Sequence, residues 1–404
     1  MPGSIISSVN IEPKKTEPVH VDLSVKSAPI TVWQILVIFT LGLFVASVAI
    51  VGLVNEQDGE IPSRDPLTKI VCDKYASPGG SDSADGTGSA PFRTAQRLAD
   101  SLEPGQTGCL RSGTYTEEGN TLTISSGGAP GQHVVISSAP NERATFQGRI
   151  YITEAADYVT VHGLILDGSH GPACTSSDAT CTVLPSPTIN GDHVHIVGND
   201  ISNRRAGSEA TLAGICINVG SSGFTATDTL IEGNRIHDCG RLPTTNHDHG
   251  IYVSDARGTR IVGNLIYDNA DRGIQLYPDA DGTLVENNTI DGNGEGVMLS
   301  GAEYDASSDT TIENNIISNS ETRWLVESHW EDPVGNNNLV ENNCLWATNP
   351  DDYYNQNGGI QPEEEGFDAY NNLTADPGYV NRTAKDFRLH EGSPCRGVLG
   401  DASP

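Results

Sequence analysis

Between residues 159 and 346 the chain repeats one short phrase. Apolar residues alternate with polar ones, a turn residue and an asparagine follow, and a second alternating run begins. The copies read HIVGNDI, LIEGNRI, RIVGNLI, TLVENNTI, TIENNII and NLVENNCL, with the asparagine at Asn199, Asn234, Asn264, Asn288, Asn315 and Asn343, spaced 35, 30, 24, 27 and 28 residues apart. An earlier, divergent copy, YVTVHGLIL, puts Leu164 at the asparagine position. Three residues before the asparagine stand Val161, Ile196, Ile231, Ile261, Val285, Ile312 and Val340. Two residues after it stand Leu166, Ile201, Ile236, Ile266, Ile290, Ile317 and Leu345. β-Branched residues at period two predict short strands. A further strand is predicted in each middle copy, at Gly214-Ile215-Cys216-Ile217, Gly250-Ile251-Tyr252-Val253, Gly273-Ile274-Gln275-Leu276 and Gly296-Val297-Met298-Leu299.

A unit of this length with two or three short strands is the rung of a β-solenoid, and stacked rungs bury the aliphatic positions as continuous ladders. Asparagine suits the corner. It tolerates left-handed backbone and its carboxamide can bond the next rung. A leucine-rich repeat would need a dominant leucine signature, and a propeller would need four strands per unit. Neither pattern is present.

The N-terminal region has a different texture. Residues 31–54 form an uncharged apolar run. As a helix at ~1.5 Å per residue the run reaches ~36 Å, enough for a hydrocarbon core of ~30 Å. The expected organisation is a cytoplasmic tail over 1–30, a transmembrane anchor over 31–54 and a linker over 55–75. The β-solenoid domain then occupies 76–404, with an N-terminal cap over 76–110 and an irregular C-terminal cap over 347–404. A cleaved signal peptide ending near Ser47-Val48-Ala49 is the alternative, giving a secreted protein. All eight cysteines follow the anchor, an even number on one side of a membrane, which points to the extracytoplasmic side. Nearest-neighbour pairing gives Cys72–Cys109, Cys174–Cys181, Cys216–Cys239 and Cys344–Cys395. The formal net charge of -30 lies entirely after residue 54 and argues against nucleic acid as a partner.

Pro91 to Leu102 predicts a short amphipathic helix with Phe92, Ala95, Leu98 and Leu102 on one face, closing the first coil. It lies within ASPGGSDSADGTGSAPFRTAQRLADSLEPGQTGCLRSGTY, residues 76–115. This stretch resembles the opening of secreted right-handed parallel β-helix proteins of the pectate-lyase-like superfamily. ADPGYVNRTAKDFRLHEGSPC, residues 375–395, resembles their usual end. The resemblance covers residues 76 to about 400 and implies an all-β, right-handed parallel β-helix that engages carbohydrate polymer. It does not imply one chemistry, because this fold hosts lyases, hydrolases, epimerases and tailspikes.

Uronate lyases of the superfamily commonly abstract a proton with lysine or arginine beside calcium. After Lys74 the chain has one lysine, Lys385, in the C-terminal tail, so a lysine base in the solenoid is excluded. The N-T-D, G-H-G and R-I-K motifs of polygalacturonase-like hydrolases are absent. Asn246-His247-Asp248-His249-Gly250-Ile251-Tyr252 is the most suggestive constellation. Its His-Gly-Ile resembles that of periplasmic mannuronan C5-epimerases, where the histidine is a base. The epimerase's D-P-H motif is missing, and its arginine on the following rung is replaced by Pro278-Asp279.

Carried over, His249 is the candidate base. Arg272 precedes Gly273 as His249 precedes Gly250, so it belongs on the adjacent rung, ~4.8 Å away, as a carboxylate clamp. Tyr252 and Tyr277 are candidate acids or sugar platforms. His247, Asp248, Gln275 and Glu295 are candidate substrate contacts. Calcium is a candidate cofactor at Asp279 and Asp281, and at Asp82 with Asp85. Trp324 and Trp330, and Tyr353 with Tyr354, are aromatic clusters that either platform sugars or pack loops. Residues 276–370 hold 20 acids and one arginine, whereas 200–275 hold nine acids and seven arginines, so a carboxylated glycan favours the latter. The function expected is a polysaccharide lyase or C5-epimerase on uronates, or else a non-catalytic glycan-binding, adhesion or envelope-structural module.

Overall fold

The computed structural model describes residues 70–170, 186–204, 214–221, 223–348, 353–361 and 365–398. The expected tail, anchor and the Cys174–Cys181 pair lie outside them. Among the described residues no helix is long and apolar enough to cross a membrane.

Three parallel sheets run the length of a solenoid. The first stacks 11 strands from Lys74–Ala76 to Phe367–Tyr370, and the second stacks 10, from Gly113–Tyr115 to Leu373–Thr374. The third contains Thr121–Ile124, Arg149–Ile152, Thr188–Ile189, Ile217–Val219, Ile251–Arg257, Arg272–Asp281, Glu295–Ala302 and Val326–His329. Each coil visits the sheets in that order. Both expected aliphatic ladders form. Val161, Ile196, Ile231, Ile261, Val285, Ile312 and Val340 pair rung to rung in the first sheet and are fully buried. Leu166, Ile201, Ile236, Ile266, Ile290, Ile317 and Leu345 do the same in the second. Each such burial contributes ~1.5–3 kcal/mol.

The corner divides its labour between two residues. The first of each dipeptide takes the left-handed backbone: Gly198 at φ 64°, Gly233 at 62°, Gly263 at 65°, Asn287, Asn314 and Asn342 at about 55°. The second makes the ladder. Asn199 Nδ2 donates to Asn234 Oδ1 at 3.1 Å, Asn234 to Asn264 at 3.0 Å, and the bonds through Asn288, Asn315, Asn343 and Asn372 are 2.9 Å each. Leu164 ends the series: its N–H donates to Asn199 Oδ1 at 3.0 Å, but it has no carboxamide to pass the chain on.

The capping helix is shorter than expected, Ala95–Ala99, because Thr94 caps it by accepting from Arg97 N–H. Its predicted face, Phe92, Ala95, Leu98 and Leu102, is buried. The solenoid also runs into both expected caps. Lys74–Ala76 and Thr107–Leu110 already supply strands to the first sheet. At the other end, Phe367–Tyr370 and Leu373–Thr374 add strands with Asn372 on the ladder, where the sequence suggested an irregular cap. Asn371-Asn372 was a visible signal, but Ala369 and Thr374 replace the usual aliphatics. The tail then folds back over the second sheet. A hairpin of Tyr379–Asn381 and Asp386–Leu389 is fastened by Arg382 Nε to buried Asp291 at 2.7 Å and by the Cys344–Cys395 disulfide. The expected Cys72–Cys109 and Cys216–Cys239 pairs are also present.

Candidate functional site

The third sheet carries the longest strands, and three glycines define their start. A Cβ on Gly250 would lie 2.7 Å from the Gly273 carbonyl oxygen, one on Gly273 would lie 3.0 Å from that of Gly296, and one on Gly296 would lie 2.1 Å from that of Leu325. The glycine of His-Gly-Ile therefore answers a packing demand of the stack. Just before these glycines stand His249, Arg272 and Glu295.

The structure does bring those three together, with Arg272 in register with Glu295. Arg272 Nε lies 2.9 Å from Glu295 Oε2. Its Nη2 donates to Asn246 Oδ1 at 2.8 Å and its Nη1 to Gln275 Oε1 at 3.3 Å, while its backbone N–H donates to His249 Nδ1 at 3.4 Å. Arg323 adds an ion pair to Glu327, 2.5 Å apart. Burial lifts the Glu295 carboxyl above the usual carboxylate range; Arg272 opposes this and neighbouring Glu327 reinforces it. Burial also holds the His249 imidazole well below its ordinary value, helped by the charges of Arg272 and His247. His249 is thus a neutral imidazole at neutral pH.

The roles expected of His249 and Arg272 meet an obstacle in their placement. Each is only 2% exposed, and the Arg272 guanidinium is committed to Glu295, Gln275 and Asn246. As a clamp for a substrate carboxylate Arg272 would have to leave an existing one. Glu295, also 2% exposed, braces Arg272 from beneath the surface. Asp248 is fully buried against Arg241, 2.6 Å away, and closes the 241–248 loop instead of facing solvent. His247 is exposed on that loop, its backbone N–H held by Asp271.

On the side of the sheet away from the core runs a row. Asn218, Tyr252, Gln275, Met298 and Glu327 pair in register on successive rungs, with Asn218, Met298 and Glu327 buried there. The Tyr252 and Tyr277 rings stack, with centroids 6.5 Å apart, and Tyr252 lies 5.7 Å from the His249 ring. Burial raises the Tyr252 phenol above its ordinary range. Tyr252, Gln275 and Tyr277 keep partial exposure.

The calcium candidates are engaged otherwise. Arg257 Nη2 donates to Asp279 at 2.6 Å, and its Nε lies 3.7 Å from Asp281. Asp82 accepts from the backbone of Arg93 and Thr94, and Asp85 from Thr87, as turn contacts. Among the described residues no group of three or more His, Cys, Asp or Glu is placed to hold a metal. Of the aromatic clusters, the tryptophans pack. Trp324 is 3% exposed against Tyr353 and Tyr354, of which Tyr353 stays exposed, and Trp330 Nε1 donates to the Glu365 carbonyl.

Sequence reasoning missed several elements. It aligned Gly214 with Gly250, but Ile217 is the residue that pairs with Ile251, a shift of two. Such a slip keeps every side chain on its expected face, so periodicity cannot detect it. It passed over Arg149-Ile150-Tyr151-Ile152, whose Ile-Tyr-Ile matches Ile251-Tyr252-Val253 and puts Tyr151 in the same outward row through Thr188 and Asn218. It also passed over a patch on the first sheet where His133 lies 4.5 Å from His195 and Tyr158 stacks on His193 at 4.4 Å.

With this geometry established, the fold is that of a right-handed parallel β-helix. Residues 188–373 match the family described as "Right handed beta helix region". The crystal structure of pectate lyase Pel9A superposes with a TM-score of 0.58 at 16% identity, covering 80% of this chain and 91% of that one. Among curated proteins, 211 residues are 24% identical to the uncharacterized protein YwoF of Bacillus subtilis (strain 168), covering 50% of this chain and 43% of that protein. A stretch of 66 residues is 41% identical to pectate lyase PEL9 of Emericella nidulans, 16% of each chain. The chain thus spans less than half the length of either curated relative.

Proposed function

We propose that the outer face of the third sheet binds an acidic polysaccharide lengthwise, parallel to the solenoid axis, as a glycan-binding module. The observation that carries this reading is the outward row around Tyr252. Tyr252 and Gln275 pair across adjacent rungs, and Tyr277 stacks on Tyr252. Rungs repeat every ~4.8 Å, so the row offers periodic contacts to a periodic polymer. Aromatic rings give apolar platforms to sugar faces, and the half-buried Gln275 supplies a donor and an acceptor for hydroxyls. The buried His249–Arg272–Glu295 group beneath holds the platform in place. We further propose that residues 31–54 tether the domain to a membrane, with the solenoid displayed outside the cell.

A second reading is a uronate lyase or C5-epimerase. The stretch shared with a pectate lyase favours it, and so does the neutral state of His249, which suits a base. It requires a substrate-bound arrangement that uncovers His249 and frees Arg272 from Glu295.

One experiment separates the readings. The full-length protein is titrated with polygalacturonate and alginate, with binding followed by calorimetry and product by the ultraviolet absorbance of unsaturated uronates. Binding that falls at least about tenfold in Tyr252→Ala, with no unsaturated product and no change at C5 by NMR, supports the module. Turnover abolished in His249→Ala supports the enzyme. Absence of both binding and turnover refutes both.

A further inference from the structure

Nearer the N-terminal end of the same face stands an arginine that has no carboxylate partner among the described residues. Ile150 and Ile152 point into the core, so the alternating residues Arg149 and Tyr151 point outward. Tyr151 pairs with Thr188, Thr188 with Asn218, and Asn218 with Tyr252. Three rungs therefore separate Tyr151 from Tyr252, ~14 Å at ~4.8 Å each.

Arg149 is 9% exposed, and its guanidinium carbon lies 4.4 Å from the Tyr151 ring centroid. Its Nε and Nη2 are buried and have no hydrogen-bond partner among the described residues. Those two nitrogens lie on one edge of the guanidinium, the edge whose parallel N–H bonds match the two oxygens of a carboxylate. Burial brings the group down to about 10, so it remains a cation at neutral pH. Among the described residues no carboxylate pairs with it. A nearly buried cation with two idle donors is costly to keep, and a bound anion would remove that cost. Asn190, 4% exposed, places its Nδ2 3.4 Å from the Tyr151 hydroxyl and accepts from Ser221 through Oδ1, which steadies the ring beneath the guanidinium.

We infer that the Nε–Nη2 edge of Arg149, which docking must uncover, is a carboxylate subsite for a uronate residue, with the Tyr151 ring as its floor. This rests on the reading of the third sheet as a polysaccharide surface and deepens it. One uronate docks at Arg149 while the polymer continues past Asn218 to Tyr252.

The test is calorimetry on the full-length protein with an oligogalacturonate long enough to span four rungs, and with the same oligomer after reduction of its carboxyl groups. Arg149→Gln should weaken the acidic oligomer about tenfold and leave the reduced one unchanged, as expected for loss of one charge-assisted bidentate contact. Arg149→Lys keeps the charge and stem but not the fork, and should weaken the acidic oligomer severalfold. It serves as the readout if the glutamine variant does not fold. Acidic-oligomer binding equal to wild type in both variants overturns the subsite, as does an equal loss for both oligomers. Tyr252→Ala, which should weaken both oligomers, separates the subsite from the surface. If Tyr252→Ala weakens binding and Arg149→Gln does not, only the subsite falls. If the wild-type protein binds neither oligomer, the surface reading falls and the subsite with it.

Discussion

Arg272 and Glu295 face one another on adjacent rungs, Nε to Oε2 at 2.9 Å, with each side chain 3% exposed. The pair joins the two rungs that lie between those of His249 and Glu327. Removing one partner leaves the other charge buried without compensation, which is costlier than removing both.

Glu295→Gln should therefore destabilise the fold by roughly 3–5 kcal/mol, because the Arg272 guanidinium keeps its charge and is left buried beside a neutral amide. Arg272→Ala should cost less, because the Glu295 carboxyl it leaves behind, already raised by burial, can take up a proton. Urea midpoints of the two variants check the order. Equal losses would mean the ion pair does not brace this part of the stack.

Acid should weaken the protein through His249. Its folded pKa is depressed by burial, so the unfolded chain binds the proton more readily. The resulting stability is fully present above the unfolded pKa of ~6.5 and is lost as pH falls below it. His195, brought down to about 4 by burial and then by His133, His193 and Arg260, acts with the same sign. His249→Gln should flatten, without abolishing, the loss of thermal stability between neutral and mildly acid pH. An unchanged slope would show that His249 is not the group being protonated.

Mid-ladder asparagines should matter more than terminal ones. Asn264 Oδ1 accepts from the Asn234 backbone and side chain at 2.9 and 3.0 Å, and its Nδ2 donates to Ile231 O and Asn288 Oδ1 at 2.9 Å each. Asn264→Ala strands buried donors on Asn234 and should cost roughly 2–4 kcal/mol, against ~1 kcal/mol for Asn372→Ala at the ladder's end. Thermal unfolding, with hydrogen exchange at the Asn234 amide, reads the difference.

The glycine column gives a graded expectation. A Cβ at residue 296 would sit 2.1 Å from the Leu325 carbonyl oxygen, against 2.7 Å for residue 250 and the Gly273 oxygen. Gly296→Ala should destabilise by ~3 kcal/mol or more, and Gly250→Ala by less. The reverse order would mean that the His-Gly-Ile glycine serves something other than packing.

Much of this molecule was legible before any coordinate. Alternation and a recurring asparagine are local signals, and every copy of the repeat states them again, so the inward ladders, the corner, the solenoid and the face of the capping helix all follow from the chain alone. Cys72 pairs with Cys109 and Cys216 with Cys239 because adjacent rungs bring such residues close, whereas Cys344–Cys395 ties the folded-back tail to the second sheet. The sequence also brought His249, Arg272 and Glu295 to one column, since each precedes a rung-starting glycine.

Tertiary structure alone decided which members of that column meet solvent. Exposure depends on what the next rung and the intervening loops place alongside, and rung length varies here from 24 to 35 residues, so lateral neighbours cannot be counted off the chain. Hence His249 and Arg272 are buried, Asp248 turns to Arg241, and Asp279 and Asp281 turn to Arg257. For the same reason Arg149, distant in sequence from Tyr252, shares its face of the third sheet, and the C-terminal tail lies along the second sheet, beyond a last rung whose aliphatic signal had faded. Period two specifies which way a side chain points; only the stacking of unequal coils specifies what it meets there.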